Sequence, residues 1–171
     1  MTRAVTVAVA LSLTAVHADA QNAGSIVTDG YLDAPVSAVW VALTTSAGLR
    51  FWMAPHADID LRVGGTMRTN YNATGSLDDP QAIITMVLAF EPERMLATRV
   101  AKAPAGFPFP NAIGDMWTVM YFEPADRGRA HVRVVGLGFR SDAESQKMRT
   151  FFDGGNAKML EALQLHFVPG K

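Results

Sequence analysis

"HADIDLRVGGTMRTNY", His56 to Tyr71, is the stretch on which the reading of the fold turns. Two adjacent glycines, Gly64 and Gly65, separate two runs of alternating apolar and polar residues. A phosphate-binding loop leads from a strand into the N-terminus of a helix, usually with a lysine or serine behind the glycines. Here the pair leads from one strand-like run into another, and no lysine follows. The pair is therefore a turn or bulge, and positive φ is expected at Gly65.

Downstream the chain continues in strands. "AIITMVLAFE" (Ala82–Glu91) is a long apolar run, and "ERMLATRVA" (Glu93–Ala101) follows a tight turn. "GDMWTVMYFE" (Gly114–Glu123) and "AHVRVVGLGF" (Ala130–Phe139) form a hairpin across "PADRGR". "SIVTDGYLD" (Ser25–Asp33) lies upstream and makes about seven strands, six of them consecutive. Such a series builds a curved antiparallel sheet.

Two short helices separate the first strand from the rest. Pro35 suits a first helical turn, and Val36, Val39, Trp40 and Leu43 form one apolar face. "TTSAGLRFWM" is a second helix with Ser46 as its cap and Trp52 near its end. A long C-terminal helix begins at a capping box of Ser141 and Glu144. Its stripe is Met148, Phe152, Gly155, Met159, Leu163 and Phe167. Gly154 and Gly155 each cost about 1 kcal/mol relative to alanine in a helix, so a close neighbour, a bend or a ligand is expected beside them.

"LDAPVSAVWVALT", "LRFWMAP", "DIDLRVGGTMR", "AFEPERML" and "FEP", then a strand ending in "GLGF" and a long helix, follow in that order. In this arrangement the chain resembles the START-like (SRPBCC) superfamily. It is most similar to the branch related to the C-terminal domain of the activator of heat-shock protein 90 ATPase, and similar also to polyketide cyclase/dehydrase-like members. The resemblance covers Ile26 to Leu163. It implies an α+β helix-grip fold of the birch-pollen-allergen type, with a sheet wrapped around the last helix and a cavity between them. Relatives often carry a glycine–tryptophan pair in that helix, where this chain has Gly155-Asn156. The missing indole leaves the cavity larger or more polar.

If the concave face carries the more apolar parity, Met67, Thr69 and Tyr71 line the cavity, with Met86, Leu88 and Phe90 on the next strand. Leu96, Thr98, Met116, Thr118, Met120, Phe122, Val134 and Gly136 continue the set, and Phe152 and Asn156 face it from the helix. Trp52 joins the ligand-binding candidates. Methionine adapts to irregular space and varied partners, so the expected occupant is a small apolar molecule bound without cofactor. "APAGFPFPNAIGD" (Ala103–Asp115) is read as a lid carrying Phe107 and Phe109.

No metal site is expected, because His56, His131 and His166, the histidines beyond the signal-peptide segment, are widely separated and the methionines are scattered. His56 stands in the loop after Trp52, within reach of a cavity mouth. It forms a candidate acid–base set with Tyr71, Asp115 and Arg68, but nothing in the sequence brings these together. No catalytic residue is assigned. A protein-interaction module of the chaperone-regulator kind is the alternative to ligand binding, and a cyclase- or hydrolase-like enzyme is the third.

A formal net charge of -1 with mixed signs favours neither nucleic acid nor an anionic membrane. Residues 1–20 read as a signal peptide: Arg3, an apolar stretch from Ala4 to Val16, then Ala18-Asp19-Ala20. That stretch falls short of the ~20 residues that span a bilayer. Cleavage after Ala20 leaves residues 21–171 as one START-like domain, periplasmic or secreted, without a membrane span. The chain has no cysteine, and a domain of this size needs no disulfide.

Overall fold

The computed structural model describes residues 24–168. The signal-peptide reading falls outside them. Seven strands form one antiparallel sheet in the order β1-β7-β6-β5-β4-β3-β2. They are β1 (Ile26–Leu32), β2 (His56–Ile59), β3 (Thr66–Asn70), β4 (Ile83–Glu91), β5 (Met95–Lys102), β6 (Trp117–Pro124) and β7 (Ala130–Leu137). Helices α1 (Val36–Thr44) and α2 (Ser46–Trp52) follow β1, and α3 (Ala143–His166) closes the described chain. This is the α+β helix-grip expected from the sequence.

The apolar face of α1 is buried as its spacing requires: Val36, Val39, Trp40 and Leu43 all enter the main core. Helix α2 is capped one residue earlier than expected. Thr45 accepts from the Gly48 N–H at 3.0 Å, and the Ser46 hydroxyl instead accepts from the Ile59 N–H, which ties α2 to β2. The main core combines α1 with Leu32, Val87, Leu96, Phe122, Val132 and Val134 of the sheet, and Leu160 and Leu163 of α3. A second cluster holds Ile26, Ala112, Met116, Phe139 and Met148.

The glycine pair is a turn, but its roles are divided differently from the expectation. Gly64 holds the positive φ, +79°. Gly65 is required for space: a Cβ there would stand on the carbonyl oxygen of Asp60. The turn also extends the ladder, since Gly64 N–H donates to Val87 O and Val87 N–H donates to Gly65 O, both at 2.9 Å.

Helix α3 differs from its expected form in two ways. Asp142, not Ser141, is the cap and accepts from the Ser145 N–H at 3.0 Å. The buried stripe runs through Met148, Asn156, Leu160 and Leu163. Gly154 and Gly155 face outward, and added Cβ atoms would meet nothing within 4 Å, so the expected neighbour is absent there. The close approach lies at Gly30 of β1, where a Cβ would come within 2.9 Å of Gln164 Nε2 and 3.1 Å of Leu160 Cδ2. That glycine lets α3 lie directly against the sheet.

Candidate functional site

A cavity of about 320 Å³ lies between α3 and the concave face of the sheet. This is at the small end of the ~300–1,000 Å³ range of small-molecule sites. Met67, Thr69 and Tyr71, from β3 and the residue after it, form one wall with Ile83 and Thr85 of β4. Leu96, Thr98 and Val100 of β5, Thr118 and Met120 of β6, and Val134 of β7 form the floor. Phe151, Phe152, Asn156 and Met159 cover it from α3. Leu43, Met53, Pro104, Phe107 and Met116 add to the lining, Arg99 is its one charged residue, and no histidine or carboxylate is among the described lining residues.

The roof is aromatic. Phe107 meets Phe109, Phe151 and Phe152 at ring-centroid distances of 5.5, 5.9 and 6.4 Å, and Phe151 meets Phe152 at 5.4 Å. Most of these pairs are edge-to-face, the geometry that the ring quadrupole favours. The segment before β6 that carries Phe107 and Phe109 is fastened at both ends. Ala105 N–H donates to Pro80 O at 3.0 Å. At the other end the Glu144 carboxylate accepts from Asn111 N–H at 2.8 Å, Ala112 N–H at 3.2 Å and Asn111 Nδ2 at 3.1 Å. The side-chain hydrogen bond from Asn111, with the two backbone bonds behind it, holds the Glu144 carboxyl below its ordinary range. Glu144 therefore serves the loop rather than a capping box.

Met67, Tyr71, Met116, Met120, Phe152, Asn156 and Phe107 come together around the cavity. Three other cavity candidates lie elsewhere. Trp52 packs on the main core and its indole N–H donates to Ala42 O at 2.9 Å, locking α2 to α1. Met86 lies opposite Arg99 rather than beside Thr98. Register shifts at Ile84/Thr85 and Val87/Ala89 move the concave positions of β4 to Ile83, Thr85, Val87 and Phe90. Gly136 has the expected parity, paired with Thr118. Its space is filled, however: a Cβ would come within 2.6 Å of Ile26 Cγ1 and 3.4 Å of Phe139 Cε2. Phe109, the second lid candidate, stands behind Phe107 in the segment before β6, where it meets Phe107 and Phe151 and packs on the second core cluster.

Phe151 is the contributor that the helical stripe misses. It neighbours Phe152 in sequence, is half exposed, and closes the roof from the edge of α3. The Phe151-Phe152 doublet was the available signal.

Polar groups in the lining are few. Burial raises the Tyr71 phenol above its ordinary 10. The residue as a whole is 60% exposed, so the effect is confined to its inner side, and the phenol stays neutral near pH 7. Thr98 and Thr118 face each other across β5 and β6. Asn156 is 9% exposed, and its Nδ2 is the buried side-chain nitrogen or oxygen without a hydrogen-bond partner among the described residues.

The histidines remain apart. His56 Nε2 lies 3.2 Å from Ala73 O, away from the cavity lining. His131 stands between Asp29 and Glu123 at 3.0 and 3.5 Å, and His166 packs edge-on against Phe51. Among the described residues no cluster of three or more histidine, cysteine or acidic side chains could hold a metal. No described helix is long and apolar enough to cross a membrane.

Solved structures share this architecture. A protein from Mesorhizobium loti superposes with a TM-score of 0.64 at 20% identity, covering 83% of this chain and 95% of the other. CalU16 from Micromonospora echinospora gives 0.60 at 21% identity, covering 85% and 76%. The Aha1 dimer from Colwellia psychrerythraea gives 0.57 at 18% identity, covering 82% and 96%. Each is a likeness of fold. No curated protein matches the chain. The family model described as "Activator of Hsp90 ATPase homolog 1-like protein" matches residues 33–167, from the residue after β1 to the residue after α3. With most of its length matched and the helix-grip in place, the chain belongs to the activator of Hsp90 ATPase homolog 1-like family, within the START-like superfamily.

Proposed function

We propose that this protein binds a small, predominantly apolar molecule in the cavity under α3, without a cofactor, and that it does so outside the cytoplasm. The observation that carries this reading is the cavity itself: about 320 Å³ of space walled by methionine, leucine, isoleucine and phenylalanine side chains. Protein interiors are normally packed to crystal-like density. Space of this size under an aromatic roof is therefore what a ligand would fill. The ligand-contacting residues in this proposal are Met67, Tyr71, Met116, Met120, Phe152 and Asn156, with Phe107 as the lid residue. Burying about 300 Å² of apolar ligand surface would contribute roughly 7 kcal/mol before the cost of association.

A protein-interaction role, which the family description suggests, would leave this cavity without a purpose. A cyclase- or hydrolase-like role needs an acid and a base at the reacting atoms, and the described lining supplies neither a carboxylate nor an imidazole. Native mass spectrometry of protein purified from its own source tests the binding reading. A co-purifying small molecule supports it, and a ligand-free protein that takes up no apolar probe contradicts it. Export is tested separately by sequencing the N-terminus of the mature protein. Gln21 is the expected first residue, and a mature chain retaining Leu11 would mean an anchor.

A further inference from the structure

Asn156 is out of place in a hydrophobic wall. It occupies the buried stripe of α3, one turn from Phe152 and one from Leu160, and lines the cavity with its Nδ2 unpartnered. A buried amide N–H without an acceptor carries the full cost of its lost hydration. An apolar residue at the same position would avoid that cost. From this, and resting on the ligand-binding reading above, we infer that the cavity selects a neutral apolar molecule bearing one hydrogen-bond acceptor, a carbonyl or ether oxygen, which receives the Asn156 Nδ2–H.

Neutrality follows from the lining. Asn156 offers a dipole and no charge, the threonines at 98 and 118 offer hydroxyls, and the one charged lining residue, Arg99, is exposed. A carboxylate taken to the depth of Asn156 would lose its hydration with no counter-charge beside it. A carbonyl would lose far less and would regain a hydrogen bond. Sites built to hydrogen-bond a ligand discriminate against the analogue that lacks the group, because their own buried polar atom is then left unmade. One neutral hydrogen bond corresponds to a preference of about tenfold.

The test compares 2-acetylnaphthalene, its hydrocarbon isostere 2-isopropenylnaphthalene and the charged 2-naphthoate by NMR titration of the intact domain. The ketone should bind at least about tenfold more tightly than the other two. It should also shift the Asn156 side-chain amide resonances, which the hydrocarbon should leave in place. Asn156→Leu should bind ketone and hydrocarbon equally and should melt at a higher temperature than the native protein. Equal affinities in the native protein with an unmoved Asn156 amide would overturn the inference while leaving the ligand-binding reading intact. Tightest binding by the naphthoate would overturn it in favour of recognition by Arg99. If none of the three enters the native cavity, the ligand-binding reading itself fails. The amide shifts in the native protein decide the matter even if Asn156→Leu does not fold.

Discussion

Glu144, in the first turn of α3, accepts three hydrogen bonds from Asn111 and Ala112, more than thirty residues earlier in the chain. One carboxylate thus joins the helix that roofs the cavity to the loop that carries Phe107. Replacing it with alanine should free the loop while leaving the sheet alone. Amide exchange at Asn111 and Ala112 is expected to rise at least about tenfold, with exchange in β5 and β6 unchanged. Unchanged protection at both amides would show that the aromatic contacts alone hold the loop.

The same clamp should open in acid. Its hydrogen bonds hold Glu144 below the ordinary 4.5, and those to Asp142, from Arg140 and the Ser145 N–H, hold it below 3.8. A carboxyl depressed in the folded state stabilises that state above its unfolded pKa, and the contribution is lost as pH falls through the folded value. Loop protection should therefore be constant from pH 7 to about 5 and decline below the ordinary carboxylate range. Asp142 is exposed, so high salt should weaken the Arg140 contribution to it. Loss of protection on raising the pH from 7 would have the wrong sign.

The glycine turn separates two costs that neighbouring residues usually share. Gly64→Ala places a methyl in open space at φ +79°, so only left-handed strain of about 1–2 kcal/mol is expected. Gly65→Val drives its side chain into the Asp60 carbonyl and should cost ~2 kcal/mol or more. Denaturation midpoints of the two variants give the order. A larger loss at Gly64 would contradict the assignment of roles.

Much of this was legible in the sequence, because it rested on periodicity. The α1 face, the seven strands and the long final helix all announce themselves by spacing. The alternation in β3, β5 and β6 placed Met67, Thr98 and Met120 on the cavity side. Legibility ended where the pattern carried no phase. The run in β4 is apolar on both faces, so two register shifts could not be read, and Met86 was assigned to the cavity wrongly. Gly136 failed differently. Its parity was right, but whether Ile26 or a ligand fills the space beside it depends on contacts between β1 and β7, at opposite ends of the chain.

That correction carries its own expectation. Gly136→Ala should destabilise the protein by about 1–3 kcal/mol, because the new methyl meets Ile26 Cγ1 at 2.6 Å in a packed cluster. Probe binding by the folded fraction should not change. Lost binding with unaltered stability would restore Gly136 to the cavity.

The central claim, that the space under α3 is a binding site, is tested most directly by filling it. Thr85 is half buried and faces the cavity from β4. Thr85→Phe should occupy that space without touching the main core. Titration with N-phenyl-1-naphthylamine should give saturable, one-site binding to the native protein. The variant, with its denaturation midpoint within about 1 kcal/mol of native, should bind at least about tenfold more weakly, the equivalent of 1.4 kcal/mol. Equal binding by the two proteins, or no binding by the native one, would contradict the account.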